Sequence, residues 1–279
     1  RPEVTAALTS IALDGCLISG TIIKPKGRHN EKITLDADLS GFTAFCESLS
    51  ASQIVSLSLR GCYLGPQALI ILAKAMASMA ALNEVNIAFN PIGTDGGIAL
   101  RDALKTSNIR YLGIGKKFTT ADGSHITRSF IQTKVSLALA GRIGEVTEVY
   151  SDGIHVKLKW QNDSSTSDWT KINSLDGVPL NLPLQSEFEG DSLDLSRQQL
   201  DPGYALLLAW WLTTSFSATI ARLALGSNPR IGDEAMVQLL EVVKDVSLTS
   251  LDISKTGCGV FTAGKLAELL SGATKFGAT

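Results

Sequence analysis

The segment Ile54-Val-Ser-Leu-Ser-Leu-Arg-Gly-Cys62 carries the pattern from which the architecture of this chain can be predicted. Its apolar residues follow the order apolar-x-x-apolar-x-apolar, and the Leu-x-Leu alternation is typical of a short strand with one buried face. Residues 65–76 come next and predict a helix, because Pro66 suits the first helical turn. The apolar residues that follow fall on one helical stripe, namely Leu69, Leu72, Ala73 and Met76.

The same strand–turn–helix pattern recurs along the chain. Segments that begin at Ile54, Leu82 and Ile109 are spaced by 28 and 27 residues, and those that begin at Ile220 and Leu248 by 28. Further copies of the strand motif lie at 8–16 and 191–196. A single unit cannot bury its own apolar face, so neighbouring units must stack and share a core.

These units resemble the leucine-rich-repeat family, and their length is similar to that of its ribonuclease-inhibitor subclass. The resemblance implies a solenoid with parallel strands on a concave face and helices outside. It also implies that a small polar or thiol side chain satisfies backbone groups at the bend after each strand, at Cys16, Cys62, Asn90 and Asn228. Three repeats depart from this pattern, at Lys117, Gln198 and Thr256.

Two interruptions divide the repeats. Residues 21–38 split the first repeat, and we interpret them as a loop insert whose basic part, Lys24-Pro-Lys-Gly-Arg-His29, is a solvated surface excursion. Residues 118–187 show strand alternation and an Asp152-Gly153 turn instead of a helical period.

The second interruption resembles the small SH3-like barrels of the KOW, Tudor and mind-bomb kind. The resemblance rests on a G-x-I-G-x-V strand at 141–146 and a V-x-L-x-W strand at 156–160. We therefore expect an α/β fold: a leucine-rich-repeat solenoid with an inserted all-β SH3-like domain. The predicted regions are 1–117, with the insert at 21–38, then 118–187 and 188–279.

The composition excludes several classes of protein. Hydrophobic residues make up 44% of the chain and charged residues 19%, which supports a packed core and argues against general disorder. The formal net charge of −2 argues against a nucleic-acid protein that relies on a global positive field. No apolar run reaches the roughly 20 residues of a membrane helix. The chain begins at Arg1 rather than Met, so we expect a fragment of a longer protein or a processed product.

The cysteines and histidines argue against metal binding and catalysis. The four cysteines are far apart and form no C-x-x-C pair, which favours a reduced, cytoplasmic protein without a zinc site or a disulfide framework. The three histidines are scattered, and no catalytic or cofactor-binding constellation is recognisable. An enzyme would have to place its chemistry in the second interruption, at His125, Asp152, His155 and Asp163, and we rank this alternative lowest.

Binding of other proteins or peptides is the function that the sequence favours. Residues between the buried leucines should face outward on the concave side, and arginine and aromatic residues are frequent binding anchors. The candidates there are Arg60, Phe89, Tyr111, Arg197 and Arg222. The alternative is that this face is simply solvated or packs on other parts of a larger chain.

The second interruption offers a separate set of aromatic candidates, Tyr150, Trp160 and Trp169. In Tudor-like barrels such residues can form a cage for a methylated cation, whereas a Trp that ends a barrel strand more often belongs to the core.

The predicted function is therefore a non-catalytic interaction scaffold or regulatory module. Two alternatives stay open. Ribonuclease-inhibitor-like repeats resemble those of GTPase-activating proteins and of innate-immune sensors, so the chain could regulate a nucleotide-driven switch. A structural subunit of a large assembly is also compatible with the sequence.

Overall fold

The computed structural model describes residues 8–26, 30–151 and 154–271. In chain order its strands are β1 (Ser10–Ala12), β2 (Ile22–Lys26), β3 (Asn30–Thr34), β4 (Ser56–Ser58), β5 (Glu84–Asn86), β6 (Tyr111–Thr119), β7 (His125–Ile126), β8 (Ser136–Leu139), β9 (Arg142–Val149), β10 (His155–Trp160), β11 (Thr170–Lys171), β12 (Gly177–Pro183), β13 (Ser192–Asp194), β14 (Arg222–Ala224) and β15 (Ser250–Asp252). Its helices are α1 (Ser40–Ser50), α2 (Pro66–Met76), α3 (Gly93–Leu104), α4 (Pro202–Leu212), α5 (Asp233–Val243) and α6 (Val260–Ser271).

The repeat strands form two parallel groups. Strands β1, β4, β5 and β6 pair in that order, and β12 then pairs antiparallel with β6. Strands β13, β14 and β15 form a second parallel sheet. The helices pack against one another in chain order from α1 to α6, and α3 contacts α4 directly. The helix layer is therefore continuous where the strand layer is interrupted by β12.

One hydrophobic core joins the repeats before and after the second interruption. Buried apolar side chains form a single cluster that extends from Phe42 in α1 to Leu269 in α6. Alternate residues of each short strand supply the sheet side of this core, as Leu57 and Val85 do, each 1% exposed. Because both groups of repeats bury their apolar faces in the same cluster, they support each other across the interruption.

Strands β7–β11, with the adjoining ends of β6 and β12, form a unit that we call the β region. Strands β8 to β11 make an antiparallel sheet in the order β11-β10-β9-β8. A second hydrophobic cluster lies within this unit, formed by Phe118, Ile131, Leu137, Val146, Val156, Leu158, Trp160, Ile172 and Leu175. Strand β6 crosses the predicted boundary at residue 118: its start pairs with β5, whereas Phe118 near its end belongs to the second cluster.

The first interruption is a β-hairpin, so the prediction of a loop over residues 21–38 was wrong. Strands β2 and β3 pair antiparallel, with Ile22 opposite Thr34 and Ile23 opposite Ile33. These β-branched residues favour strand pairing, a signal that the neighbouring basic residues, glycine and proline obscure. Residues 27–29 of the predicted basic excursion lie outside the described residues.

The hairpin is fixed to the second repeat by Asp36. Its carboxylate accepts hydrogen bonds from the backbone amides of Gly65 (2.9 Å), Gln67 (3.0 Å) and Ala68 (3.2 Å) at the start of α2. These amides have no partner within the helix, and a carboxylate at a helix N-terminus also interacts favourably with the helix dipole. The insert thus supplies the cap that α2 lacks in its own sequence.

The bends after the strands are held by the side chains that the repeat pattern implies. The Asn90 amide nitrogen donates to the carbonyls of Leu59 and Ile87, both at 2.8 Å, and its oxygen accepts from the Leu64 amide at 3.0 Å. Asn228 repeats this arrangement with Leu195, Leu225 and Leu200. The Cys62 thiol donates to the Leu13 carbonyl, whereas Cys16 is exposed.

Two of the positions that depart from the pattern still bond to the backbone. Gln198 donates to the Lys116 carbonyl at 3.2 Å and accepts from the Lys116 amide at 3.1 Å. Thr256 donates to the Ile253 carbonyl at 2.6 Å. The chemistry of the bend is therefore preserved at these two positions although the residue type differs.

In the native protein, Cys16 and Cys258 are expected to react with a thiol reagent while Cys46 and Cys62 are protected. The first two are exposed and the other two are buried. Burial raises the pKa of the Cys46 thiol to about 12 and that of Cys62 to about 11, so the reactive thiolate is scarce near neutral pH. Alkylation at pH 8 with and without denaturant, followed by peptide mass spectrometry, measures this. Equal labelling of Cys62 and Cys16 in the native protein would contradict the structure.

Among the helices of the described residues, none is both long and apolar enough to cross a membrane.

Candidate functional site

Two adjoining cavities lie where the repeats, the hairpin and the β region meet. Their volumes are about 940 and 640 Å³. Because the two cavities share part of their lining, we treat them as one groove and call it the cleft. The shared residues are Ile33, Tyr63, Ile154, Gln199 and Arg230.

The cleft is bounded by three parts of the chain that are distant in sequence. The lining includes Gly15, Gly61, Pro91 and Pro229 from the turns after the repeat strands, Ile33 and Leu35 from the hairpin and the residue after it, and His155, Lys171 and Asn173 from the β region. Both interruptions of the repeat pattern therefore contribute to the same groove. Segments that lie on a rigid repeat scaffold in this way are common locations for binding residues.

The backbone after each repeat strand directs residues towards the cleft. In six repeats the residue immediately before the bend position has a positive φ angle, and in four of them it is not glycine: Phe89 (61°), Arg197 (57°), Ser227 (60°) and Lys255 (54°). Phe89 lines the first cavity, and Arg197 and Lys255 line the second. A side chain in this left-handed region costs on the order of 1 kcal/mol or more. The same conformation recurs at Gly15 and Gly61, so it belongs to the repeat turn, and Phe89, Arg197, Ser227 and Lys255 are the side chains that it brings to the groove.

The lining of the cleft is strongly basic. Its described basic residues are Arg60, Arg128, Lys171, Arg197, Arg230 and Lys255, whereas Asp14 is the acidic residue of the described lining. The whole chain has 25 basic and 27 acidic residues. The positive charge of the cleft is therefore local, and a concave surface concentrates its field.

Arg60 is held in a fixed position between the repeats and the β region. Its Nε lies 3.1 Å from the Asp14 Oδ2 atom, and its backbone amide donates to the other carboxylate oxygen at 3.1 Å. Its Nη1 atom lies 3.5 Å from the Asn173 carbonyl. These contacts join the first two repeats to the β region, so Arg60 both shapes the cleft and contributes to its charge.

Lys116 makes a second connection between the repeats and the β region. It is 5% exposed, and its ammonium group donates to the carbonyls of Asn173, at 3.3 Å, and Leu175. Burial, together with the nearby Arg60 guanidinium, lowers the pKa of Lys116 to about 8. Its charged form is therefore unfavourable for the fold at neutral pH.

Replacing Lys116 with methionine is expected to change how stability depends on pH. The folded pKa of about 8 lies below the ordinary value of 10.5, so between these pH values the unfolded chain binds more protons and the wild type gains stability as pH rises. The gain is on the order of 2–3 kcal/mol, and K116M should lack it. Urea unfolding between pH 7 and pH 10 would measure the difference. The neighbouring exposed lysine gives the control K117M, and parallel curves for wild type and K116M would contradict the prediction.

The structure brings together part of the predicted concave set. Arg60, Phe89 and Arg197 all line the cleft. Phe89 is 8% exposed, so its prediction as an outward-facing anchor was wrong: the positive φ angle turns it into the groove wall. Tyr111 and Arg222 lie at the starts of their strands and do not line either cavity. Tyr111 is 39% exposed, and Arg222 pairs with Asp191 at 2.7 Å.

The aromatic candidates of the β region separate into a pair and a core residue. The rings of Tyr150 and Trp169 meet edge to face with centroids 5.2 Å apart, and Lys157 Nζ lies 4.7 Å from the Trp169 ring centroid. Trp160 is 8% exposed and belongs to the second cluster, with Arg142 stacked on it. Of its two interpretations from the sequence, the structure supports the core residue over the cage residue, because β10 alternation turns it inward with Val156 and Leu158. Tyr150 and Trp169 therefore contact each other, and the Lys157 ammonium group of the same chain already lies against the Trp169 ring.

Several cleft residues were not predicted from the sequence. Tyr63 and Gln199 each directly follow a bend position. A comparison of the repeats at these offsets could have found them, since the ends of neighbouring parallel strands meet at one edge of a sheet. Lys171 and Arg230 have no comparable signal, because their place in the cleft depends on how the chain folds over the repeats.

A search of the described residues for three or more His, Cys, Asp or Glu side chains placed to hold a metal ion identifies no such group.

Comparison with known proteins identifies one repeat. The family model described as Leucine Rich repeat matches residues 81–100, which contain β5 and most of α3. This match supports a leucine-rich-repeat protein, and such repeats generally mediate protein–protein interactions. A search of curated proteins found no match to the chain.

Proposed function

We propose that this leucine-rich-repeat protein is a non-catalytic interaction module that binds another protein through its cleft, with the repeats and the β region acting together. The observation that carries the proposal is the convergence of both interruptions and the strand ends on one groove. If residues 21–38 were only a solvated surface loop, we would not expect them to line the same groove as the second insert.

The rigidity of the cleft supports a binding role. The repeats on both sides of the β region share one core, and Arg60 and Lys116 tie that region to the repeats through the Asn173 carbonyl. A site that is already ordered loses little conformational freedom when a partner binds. The acidic residue of the described lining, Asp14, is bonded to Arg60, so this pair is part of the fixed wall of the cleft.

The finer classification belongs to the same proposal. The spacing of 27 and 28 residues supports the ribonuclease-inhibitor subclass for the repeats. The antiparallel sheet with its own hydrophobic cluster supports a small SH3-like barrel for the β region. We keep 1–117, 118–187 and 188–279 as the three functional regions. The described cysteines are all unpaired, which supports a reducing location such as the cytoplasm.

Site-specific crosslinking tests the proposed function. A photo-reactive phenylalanine analogue replaces Tyr63 in the cleft, or Lys74 in the exposed part of α2 as the control, and each full-length chain is exposed to an extract of its source cells. We expect a protein partner to crosslink at position 63 and not at position 74. Capture of no partner, or crosslinks confined to position 74, would rule out the cleft as the binding site.

A further inference from the structure

We infer that the cleft takes an extended acidic peptide in which an apolar side chain is flanked on both sides by carboxylates. This inference deepens the proposed function and rests on it, because it names the chemistry of the partner segment.

The first argument is the distribution of positive charge along the cleft. Lys171 lines the first cavity, Arg197 and Lys255 line the second, and Arg230 lines both. Within the part of the chain that the structure describes, these four side chains form no ion pair. Cations gathered in a groove repel one another, and an anionic ligand would relieve that repulsion. The ligand should therefore carry negative charge at both ends of the groove.

The second argument is the apolar surface where the cavities join. Of the five residues that line both cavities, Ile33, Tyr63 and Ile154 supply apolar surface, and Gln199 and Arg230 lie beside them. The three apolar residues come from the hairpin, a repeat turn and the β region, so each of the three walls supplies one apolar side chain. An apolar group of the ligand that lies between them would remove this surface from water at roughly 25 cal/mol per Å². The junction thus favours an apolar side chain between two anionic ones.

The third argument is size. Each cavity alone has the volume of a site for a single small ligand. A ligand that meets the cations of both cavities must cross the junction, and an extended peptide does so with side chains that alternate between its two sides. A single-stranded nucleic acid would need several exposed aromatic faces on which its bases stack. Of the Phe, Tyr and Trp side chains in the described lining, Phe89 is 8% exposed and Tyr63 is part-exposed, so the cleft offers one such face.

Fluorescence polarisation with labelled synthetic peptides tests the inference on the full chain. The probes have about 12 residues, which reach roughly 40 Å when extended. One probe has Leu and Phe between Asp- and Glu-rich flanks. A second replaces every Asp and Glu by Asn and Gln, and a third replaces the central apolar residues by Ser. A single-stranded oligonucleotide of similar length is the fourth. We expect the first probe to bind, and the second and third to bind about tenfold or more weakly.

Matched charge reversals locate the binding. K171E/K255E removes one cation from each cavity and is expected to weaken binding of the first probe by about tenfold or more. K74E/R110E makes the same charge change at two exposed residues that do not line the cleft, and should alter affinity by no more than about twofold. A thermal melt of each variant checks that it is folded.

The remaining outcomes overturn the inference in distinguishable ways. Equal binding of the acidic and amide probes would show that charge is not recognised, and tighter binding of the oligonucleotide would assign the cleft to nucleic acid. An equal loss in both double variants would place binding outside the cleft. If no probe binds while a protein still crosslinks at position 63, the acidic chemistry is wrong and the proposed function stands. If no probe binds and no protein crosslinks at position 63, both the acidic-peptide inference and the proposed function are wrong.

Discussion

Replacing Asn90 with alanine is expected to lower the free energy of unfolding by about 3 kcal/mol. The side chain is 2% exposed and makes three hydrogen bonds to backbone groups of two repeats. Alanine leaves the Leu64 amide and the Leu59 carbonyl in the core without this partner, and water cannot replace it there. An unsatisfied buried group costs about 1–3 kcal/mol, so the loss should far exceed that of a surface substitution.

Urea unfolding followed by circular dichroism measures this effect. Two further variants serve as an equivalent case and as a control. Asn228 makes the equivalent three bonds in a later repeat, so N228A should cost a similar amount. Asn108 is exposed and makes a single long bond of 3.4 Å to Ala80, so N108A should change the free energy by less than about 0.5 kcal/mol. If N90A and N108A behaved alike, the bend would not depend on its buried amide.

The repeat units could be predicted because their signals are local. Apolar periodicity identifies each short strand and each helix, and Pro66 marks the start of α2, as Pro202 does for α4. The buried amide positions follow from the same repeat, since Asn90 and Asn228 occupy equivalent places in it. Local sequence was sufficient here because each unit contacts chiefly its neighbours.

The hairpin shows where a local pattern was misread, and Trp160 shows where two interpretations stayed open. The hairpin lies in a segment with prolines, glycine and charges, which suggested a loop, but its β-branched residues pair across the two strands. Trp160 was considered for an aromatic cage, but the alternation of β10 already placed it on the same side as Val156 and Leu158. In both cases the alternation of side chains along a strand predicted the structure better than the residue composition of the segment.

The cleft itself could not be predicted, because it depends on the arrangement of distant segments. Arg60 was a candidate as a strand residue, but its contact with Asn173 requires the β region to fold against the second repeat. Lys171 lies in a two-residue strand, and nothing in its neighbours indicates a binding role. Tertiary packing decides which turns and inserts meet, and the sequence pattern of a single repeat does not contain that information.

Replacing Gly203 with alanine is expected to lower the free energy of unfolding by about 3–5 kcal/mol. Helices α3 and α4 meet here backbone to backbone: a Cβ atom at position 203 would collide with the Gly93 carbonyl oxygen and lie 2.6 Å from Ile92 Cγ1. Backbone cannot move aside as a flexible side chain can, so the helices must separate. That separation would strain the bond from the Tyr204 hydroxyl to the Ile87 carbonyl (2.6 Å) and the bond from the Gly93 amide to Asp201 (2.9 Å).

The same substitution at Gly264 isolates this effect from helix propensity. Gly264 lies within α6, and an added Cβ atom there would meet nothing within 4 Å. Alanine favours the helix over glycine, so G264A should raise the free energy of unfolding by about 0.5–1 kcal/mol. Urea unfolding of the two variants should therefore give changes of opposite sign. Two changes of the same sign and size would mean that the α3–α4 contact does not join the repeats across the β region. Opposite signs would show that the close approach of α3 and α4 at Gly203, between the two groups of repeats, stabilises the fold.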